Sequence, residues 1–234
     1  LLTLPTLAFA VDLDGYYITP KVGVSKSMNT GGTDWRDSNA SLVPMDNDDL
    51  GTGNAFGLSV GKYLTGNFRL ELEVTKRTGY KFDGVYTNFN VNKLRSLKAK
   101  IQTEALFVNG FYDFQPFSIS NMPITPYLGG GVGISRNKMR AQAEYASDGL
   151  PNGATINGNT INQFAYKFSA GTLVSLTEQL SLDVNYQYVN LGAFKGDTEA
   201  YFKGVPMPAA DLKKPISGGE IESQEIMFGL QYKF

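Results

Sequence analysis

The feature that most constrains this chain is strict alternation of apolar and polar side chains. Phe68, Leu70, Leu72 and Val74 are interleaved with Arg69, Glu71, Glu73 and Thr75. Leu180, Leu182, Val184, Tyr186 and Tyr188 are interleaved with Ser181, Asp183, Asn185 and Gln187. Ile226, Phe228, Leu230, Tyr232 and Phe234 oppose Glu225, Met227, Gly229, Gln231 and Lys233. Tyr16, Ile18, Pro20, Val22 and Val24 oppose Tyr17, Thr19, Lys21, Gly23 and Ser25. Side chains of a strand point alternately to its two faces, so period two marks a strand with one apolar face. Residues 55–64, 97–114, 124–135 and 163–176 carry the pattern less cleanly, which makes eight strands. Within 97–114 the apolar residues change parity near Glu104, from Ala99 and Ile101 to Leu106 and Val108. Either a bulge there or a strand leaving its apolar surroundings is expected.

The connections alternate as well. Residues 65–67, 115–123 and 177–179 are short, whereas 28–53, 76–96, 136–162 and 190–223 are long and rich in Gly, Asn, Asp, Ser and Pro. Long connections at every second position all lie at one end of an antiparallel sheet. An even number of strands of about ten residues, with short turns at one end and long loops at the other, is the pattern of a transmembrane barrel. Lipid cannot hydrogen-bond an open sheet edge, so such a sheet must close. The expected fold is all-β, an eight-stranded antiparallel up-and-down transmembrane β-barrel over residues 11–234. Its rival is a soluble lipocalin-like barrel, which places apolar residues inside and charges outside.

Composition removes whole classes of function. There is no Cys and no His, which excludes disulfide frameworks, thiol chemistry, His-based zinc sites and Ser-His-Asp hydrolysis. A net charge of −1 argues against a nucleic-acid partner. Residues 1–10 are mostly apolar, and Ala8-Phe9-Ala10 fits the small-x-small pattern before a signal-peptidase cut. They are expected to be the C-terminal part of a cleaved signal peptide, with Val11 the first mature residue.

The segments GYYITPKVGVS, FRLELEVTKRTGYKF, ALFVNGFYDF, ITPYLGGGVGIS and LSLDVNYQYVNLG resemble eight-stranded outer-membrane proteins of the opacity and outer-membrane-protein-A type. They resemble especially the surface antigens of intracellular bacteria related to rickettsiae. The resemblance runs strand by strand over nearly all of the mature chain, and its motifs are specific to the fold rather than to an activity. It implies residence in the bacterial outer membrane, among lipid and lipopolysaccharide. It implies that Tyr232 and Phe234 belong to a C-terminal signal read by the barrel-assembly machinery. The peptidoglycan-binding domain of larger relatives is expected to be lacking.

Candidate functional residues follow from the facing pattern. Alternation points Lys21, Arg69, Glu71, Glu73, Lys167 and Asp183 into the lumen, where ions are expected to pair across strands. An eight-stranded barrel has an interior about filled by side chains, so the structural expectation is a salt-bridged plug and the rival is a narrow pore. Tyr16, Tyr112, Phe114, Tyr186, Tyr188, Tyr232 and Phe234 lie near strand ends and suit membrane-interface girdles. Gly129-Gly130-Gly131-Val132-Gly133 lacks the Lys-Ser/Thr of a phosphate loop and reads as glycine against a crowded lumen. In Asp46-Asn47-Asp48-Asp49-Leu50-Gly51 a Leu occupies a ligand position of a calcium loop, so neither metal nor cofactor is expected. Lys195-Gly196-Asp197 resembles an integrin-recognised tripeptide that arises readily by chance. Glu71 and Glu73 share a face but belong to the lumen rather than a cleft, and a non-enzymatic role is expected. Residues 28–53 carry a net −4 and residues 76–98 a net +5. The expected function is a surface antigen or adhesin whose loops meet host-cell molecules. A small porin and a purely structural barrel are the alternatives.

Overall fold

A computed structural model describes residues 13–28, 35–36, 42–43, 49–64, 67–88, 93–120, 122–140, 142–146, 151–197, 199–206 and 217–234. Eight long strands form the wall: β1 (Tyr16–Ser27), β2 (Thr52–Tyr63), β3 (Phe68–Asn88), β4 (Lys93–Asp113), β5 (Met122–Met139), β6 (Asn159–Ser175), β7 (Leu180–Lys195) and β8 (Ser217–Lys233). Each pairs antiparallel with its sequence neighbour, and β1 pairs with β8, so the sheet closes. At the short-turn end the β6–β7 turn is fixed by Thr177 Oγ1, which accepts the Leu180 N–H at 2.9 Å. The two termini meet there, with Phe234 N–H donating to Tyr16 O at 3.0 Å.

The facing decides between the two barrels. Leu70, Leu72, Val74, Phe56, Val108, Ile134, Phe168 and Phe228 point outward and are about half exposed, Ile134 at 63%. Glu71, Glu73, Arg69, Lys167 and Asn109 are buried inside, Glu73 at 1%. A soluble barrel does not show water a continuous apolar band of this size. The wall is that of a barrel in lipid.

The strands run further than the alternation indicated. β3 continues through residues 76–88 and β4 starts at Lys93, so most of the expected loop over residues 76–96 is a strand hairpin. Gln142–Ala146, Pro151–Ile156, Ala200–Phe202 and Val205–Pro206 extend the sheet in the same way at the long-loop end. The parity change near Glu104 is not a bulge in β4. That strand pairs with β5 in unbroken register from Ile101–Met139 to Asp113–Tyr127. It leaves the apolar zone instead, and Ala99 and Ile101 face inward like Thr103, Ala105 and Phe107. The bulge lies across on β3, between Arg77 and Tyr80, with Gly79 at φ +94°. It switches the inward parity from Arg77 to Tyr80 and Phe82. A second bulge on β7, at Gly192 with φ +68°, switches the inward parity from Val189 and Leu191 to Phe194.

Candidate functional site

The lumen is built in layers, counted here from the short-turn end. The first layer centres on Arg69. Its Nε donates to Asp113 at 2.8–2.9 Å, and its guanidinium lies 4.8 Å from the Tyr127 ring centre and 4.9 Å from Phe111. Tyr63 and Tyr17 follow at 5.7 and 5.8 Å, so the cation sits in an aromatic box. Tyr127 OH donates to Asp183 Oδ1 at 2.7 Å, and Tyr17 OH to Glu71 at 3.3 Å.

The second layer is a four-ion chain. Lys21 Nζ donates to Glu71 Oε1 at 2.9 Å and stands 3.9 Å from Glu73. Lys167 pairs with Glu73. Asn109 Nδ2 bridges both carboxylates, at 2.7 Å to Glu73 and 3.2 Å to Glu71. The third layer joins Arg77 to Glu225 through two donors, Nε at 2.5 Å and Nη2 at 3.0 Å. Ser25 and Gln187 also donate to Glu225, at 2.6 and 2.5 Å. Tyr80 lies hydroxyl to hydroxyl with Ser223 at 2.8 Å and also meets Ser25.

Above these the lumen turns apolar. Leu50, Phe82, Ile101, Met139, Leu191 and Phe194 join one buried cluster, with Phe82 and Phe194 edge to face at 5.9 Å. Leu50 is held there from the first long connection, its N–H donating to Ser27 Oγ at 3.3 Å.

All six lumen residues named from the sequence are buried in this stack. Asp183 meets Tyr127 rather than a cation in hydrogen-bonding range. Arg77, Asp113, Glu225, Asn109 and Gln187 were not singled out, although parity carried the signal for each. Arg77 continues the inward series 69, 71, 73, 75, and reading the strand as ended at Thr75 placed it in a solvated loop. The net +5 of residues 76–98 is therefore not one exposed patch. Arg77 is inside the barrel, Lys76 pairs with Glu104 at 3.2 Å, and Lys98 with Asp83 at 3.4 Å.

The glycine run faces the lumen at Gly129, Gly131 and Gly133. A Cβ on Gly131 would overlap the Asn109 side chain, and one on Gly129 would overlap Phe111. Tyr112, Phe114, Tyr232 and Phe234 stand exposed at the short-turn end, in edge-to-face pairs at 5.2 Å. Tyr16 joins them with Lys62 over its ring at 4.3 Å. Tyr186 and Tyr188 are not at a strand end, because β7 runs on to Lys195. Lys195 ends that strand, and Asp197 N–H donates to Asn157 O at 3.1 Å. Residues 1–10, with Asp34, Asp37, Asp46 and Asp48 of the acidic connection, lie outside the described residues.

Comparison with known proteins gives a consistent frame. The family model for the outer membrane protein beta-barrel domain matches residues 1–234. The outer membrane protein PagN of Salmonella typhimurium is 26% identical over 233 residues, covering 94% of this chain and 90% of PagN. A putative adhesin of Rickettsia bellii is 25% identical over 182 residues, 75% of this chain and 72% of the adhesin. Among solved structures, Neisserial surface protein A superposes with a TM-score of 0.55 at 15% identity, over 94% of this chain and 98% of that one. The outer membrane protease OmpT of Escherichia coli superposes at 0.53 and 13% identity, over 98% and 100%. At these identities the two structures speak for the barrel alone.

Proposed function

From the premise that this chain belongs to the outer membrane protein beta-barrel family and resides in the bacterial outer membrane, we propose that it is a surface adhesin and antigen. Its loops make the outside contacts and its barrel is their rigid frame. The observation that carries this reading is the filled lumen. Three ion-paired layers and an apolar cluster occupy the path a solute would take. Function then falls to the outer surface, and the naming of the Rickettsia relative as a putative adhesin supports it. Barrels of this kind carry short periplasmic turns and long extracellular loops, so the long-loop end faces outward.

Several finer assignments belong to the same reading. Residues 1–10 end a signal peptide cut before Val11. Tyr232 and Phe234 are read by the barrel-assembly machinery. Tyr16, Tyr112, Phe114, Tyr232 and Phe234 form the periplasmic girdle, and Tyr186 and Tyr188 lie toward the outer edge of the apolar band. The protein is non-enzymatic. The protease shares its fold, but a chain without His or Cys lacks the commonest nucleophile-activating and thiol groups.

The test exchanges residues 29–48 or 196–216 for short turns, which leaves β2, β7 and β8 whole. The chimeras are expected to keep the heat-modifiable electrophoretic shift of a folded barrel and to lose binding to host cells. Unchanged binding by both, together with steady single-channel conductance of the wild type in planar bilayers, would replace this reading with the pore.

A further inference from the structure

Three Asn-Gly pairs stand in this chain, Asn109-Gly110, Asn152-Gly153 and Asn157-Gly158. Such a pair is a chemically weak link. The Asn amide carbon is an electrophile, and Gly has no Cβ to shield its nitrogen or restrict its backbone. Whether a pair reacts depends on whether the fold lets that carbon and that nitrogen meet.

The three are held differently. Asn109 is buried in the lumen, with its Nδ2 engaged by Glu71 and Glu73. Gly110 is paired on both sides, to Leu70 and to Gly130. Extended backbone locked in this way keeps the side chain off the next nitrogen. Asn152 and Gly153 lie within the strand Pro151–Ile156, where Gly153 O accepts the Lys203 N–H at 2.7 Å. Asn157 and Gly158 fall between strands. Ile156 ends one by pairing with Gln142, and Asn159 begins β6 by pairing with Met139. Both residues are partly exposed. The Asn157 side chain has one bond, Nδ2 to Glu199 Oε2 at 3.0 Å, and it stands in water.

The same residue is a joint between two long connections. Asn157 N–H donates to Glu199 O at 2.9 Å, and Asn157 O accepts the Asp197 N–H at 3.1 Å. Next to it Ile156, Thr155 and Ala154 pair with Ala200, Tyr201 and Phe202. Asn157 therefore starts the ladder that ties residues 151–156 to residues 200–202.

We propose that Asn157 is a site of spontaneous deamidation, and that the reaction loosens this ladder. The Gly158 nitrogen loses its proton to base and attacks Asn157 Cγ. That N–C bond forms, the Cγ–Nδ2 bond breaks, and ammonia leaves with a proton from water. Water then opens the five-membered imide at either carbonyl, giving aspartate or isoaspartate. The new carboxylate cannot donate to Glu199 and faces it as a like charge. Isoaspartate also lengthens the backbone by one atom, which puts the ladder out of register. An ageing molecule thus presents a different outer surface from a fresh one. Only the effect on binding rests on the adhesin reading.

The test incubates the refolded full chain in detergent at mildly acid and mildly alkaline pH. Peptide mass spectrometry with electron-transfer fragmentation locates aspartate and isoaspartate, and hydrogen exchange follows the amides of residues 200–203. Most Asn157 is expected to convert, faster at alkaline pH, with Asn152 slower and Asn109 unchanged. Unfolding in urea is expected to raise Asn109 to the rate of Asn157. Amides 200–203 are expected to exchange faster in the aged protein and in Asn157→Asp. Asn157→Gln, whose longer side chain closes a ring far more slowly, is expected to exchange alike fresh and aged. Heat modifiability confirms that each sample is a folded barrel. Intact Asn157 after incubation, or Asn109 converting as fast in the folded chain, overturns the proposal. So does unchanged exchange at residues 200–203 once Asn157 has converted. Host-cell binding is compared for fresh and aged protein. Fresh protein that does not bind sinks the adhesin reading, and the mass spectra and exchange still decide this one.

Discussion

The lower and upper halves of the lumen are made by the same strands and obey opposite rules. Below, β3 sends Arg69, Glu71, Glu73 and Arg77 inward, and each finds a partner on another strand. Above the Gly79 bulge it sends Tyr80 and Phe82 inward, and β7 supplies Leu191 and Phe194. The outer face makes the reverse exchange, from Val74 and Leu106 to Lys76 and Glu104. Inside lipid, the apolar side chains are needed on the outer wall, and the lumen is left to groups that satisfy one another. Once the wall stands in water the hydrophobic effect pulls apolar groups back inside. The level at which both faces swap is the edge of the membrane written in side chains.

The largest effect expected tests the lower half. Glu225→Ala leaves Arg77 buried without its carboxylate and should cost about 3–5 kcal/mol. Replacing the pair together, as Arg77→Met/Glu225→Leu, should recover most of that, because two well-packed apolar groups need no partners. Urea unfolding from lipid vesicles measures both. A single variant as stable as the wild type would mean that the ionic layers do not hold the barrel.

The second compares the two faces of one strand at adjacent positions. Leu72→Lys places a charge in lipid and should cost ~2–4 kcal/mol near the midplane. Glu73→Gln keeps the volume but weakens the hold on Lys167 and Lys21, so its cost should be of similar size rather than negligible. A much smaller effect of Glu73→Gln would show that Glu71 for Lys21 and Gln187 for Lys167 suffice to hold those cations.

Much of this was legible in the sequence, and the part that was not has a physical cause. Period two gives the eight strands, the outward apolar series and the six inward ions, because a membrane demands one apolar face for the full span of each strand. Above the membrane that demand ends. Lys81 and Asp83 then look like loop chemistry although they lie on a paired strand. The bulges at Gly79 and Gly192 shift the phase as well, so Phe82 and Phe194 cannot be placed inside by counting from the strand below. Arg77 is the residue at which both difficulties meet. Its parity was right, yet its neighbours Lys76 and Thr78 gave no apolar alternation to carry the strand past Thr75.

A smaller effect tests the upper half. Ile101→Val removes one methyl from the apolar cluster and should cost about 0.5–1.5 kcal/mol. The same methyl lost from Ile134, on the outer wall, leaves no interior cavity and should cost less. Equal effects would mean that the upper cluster is not packed as a core.

The smallest effect sets one ion pair against another across the wall. Lys76 and Glu104 meet at 3.2 Å with both side chains 54% exposed, whereas Lys21 and Glu71 meet at 2.9 Å almost wholly buried. The distances are alike and the surroundings are not. Water and salt screen the outer pair, and holding two long side chains in one geometry costs entropy, so Lys76→Gln should change stability by no more than ~1 kcal/mol. What change there is should shrink as ionic strength rises. Lys21→Gln should cost several-fold more and be nearly insensitive to salt, because its carboxylate partners have no water to turn to. Unfolding midpoints of the two variants at low and high salt decide the matter. If Lys76→Gln proved the more damaging, the outer rung would be holding something besides Glu104, and the lipid-facing wall rather than the lumen would be the part to dissect next.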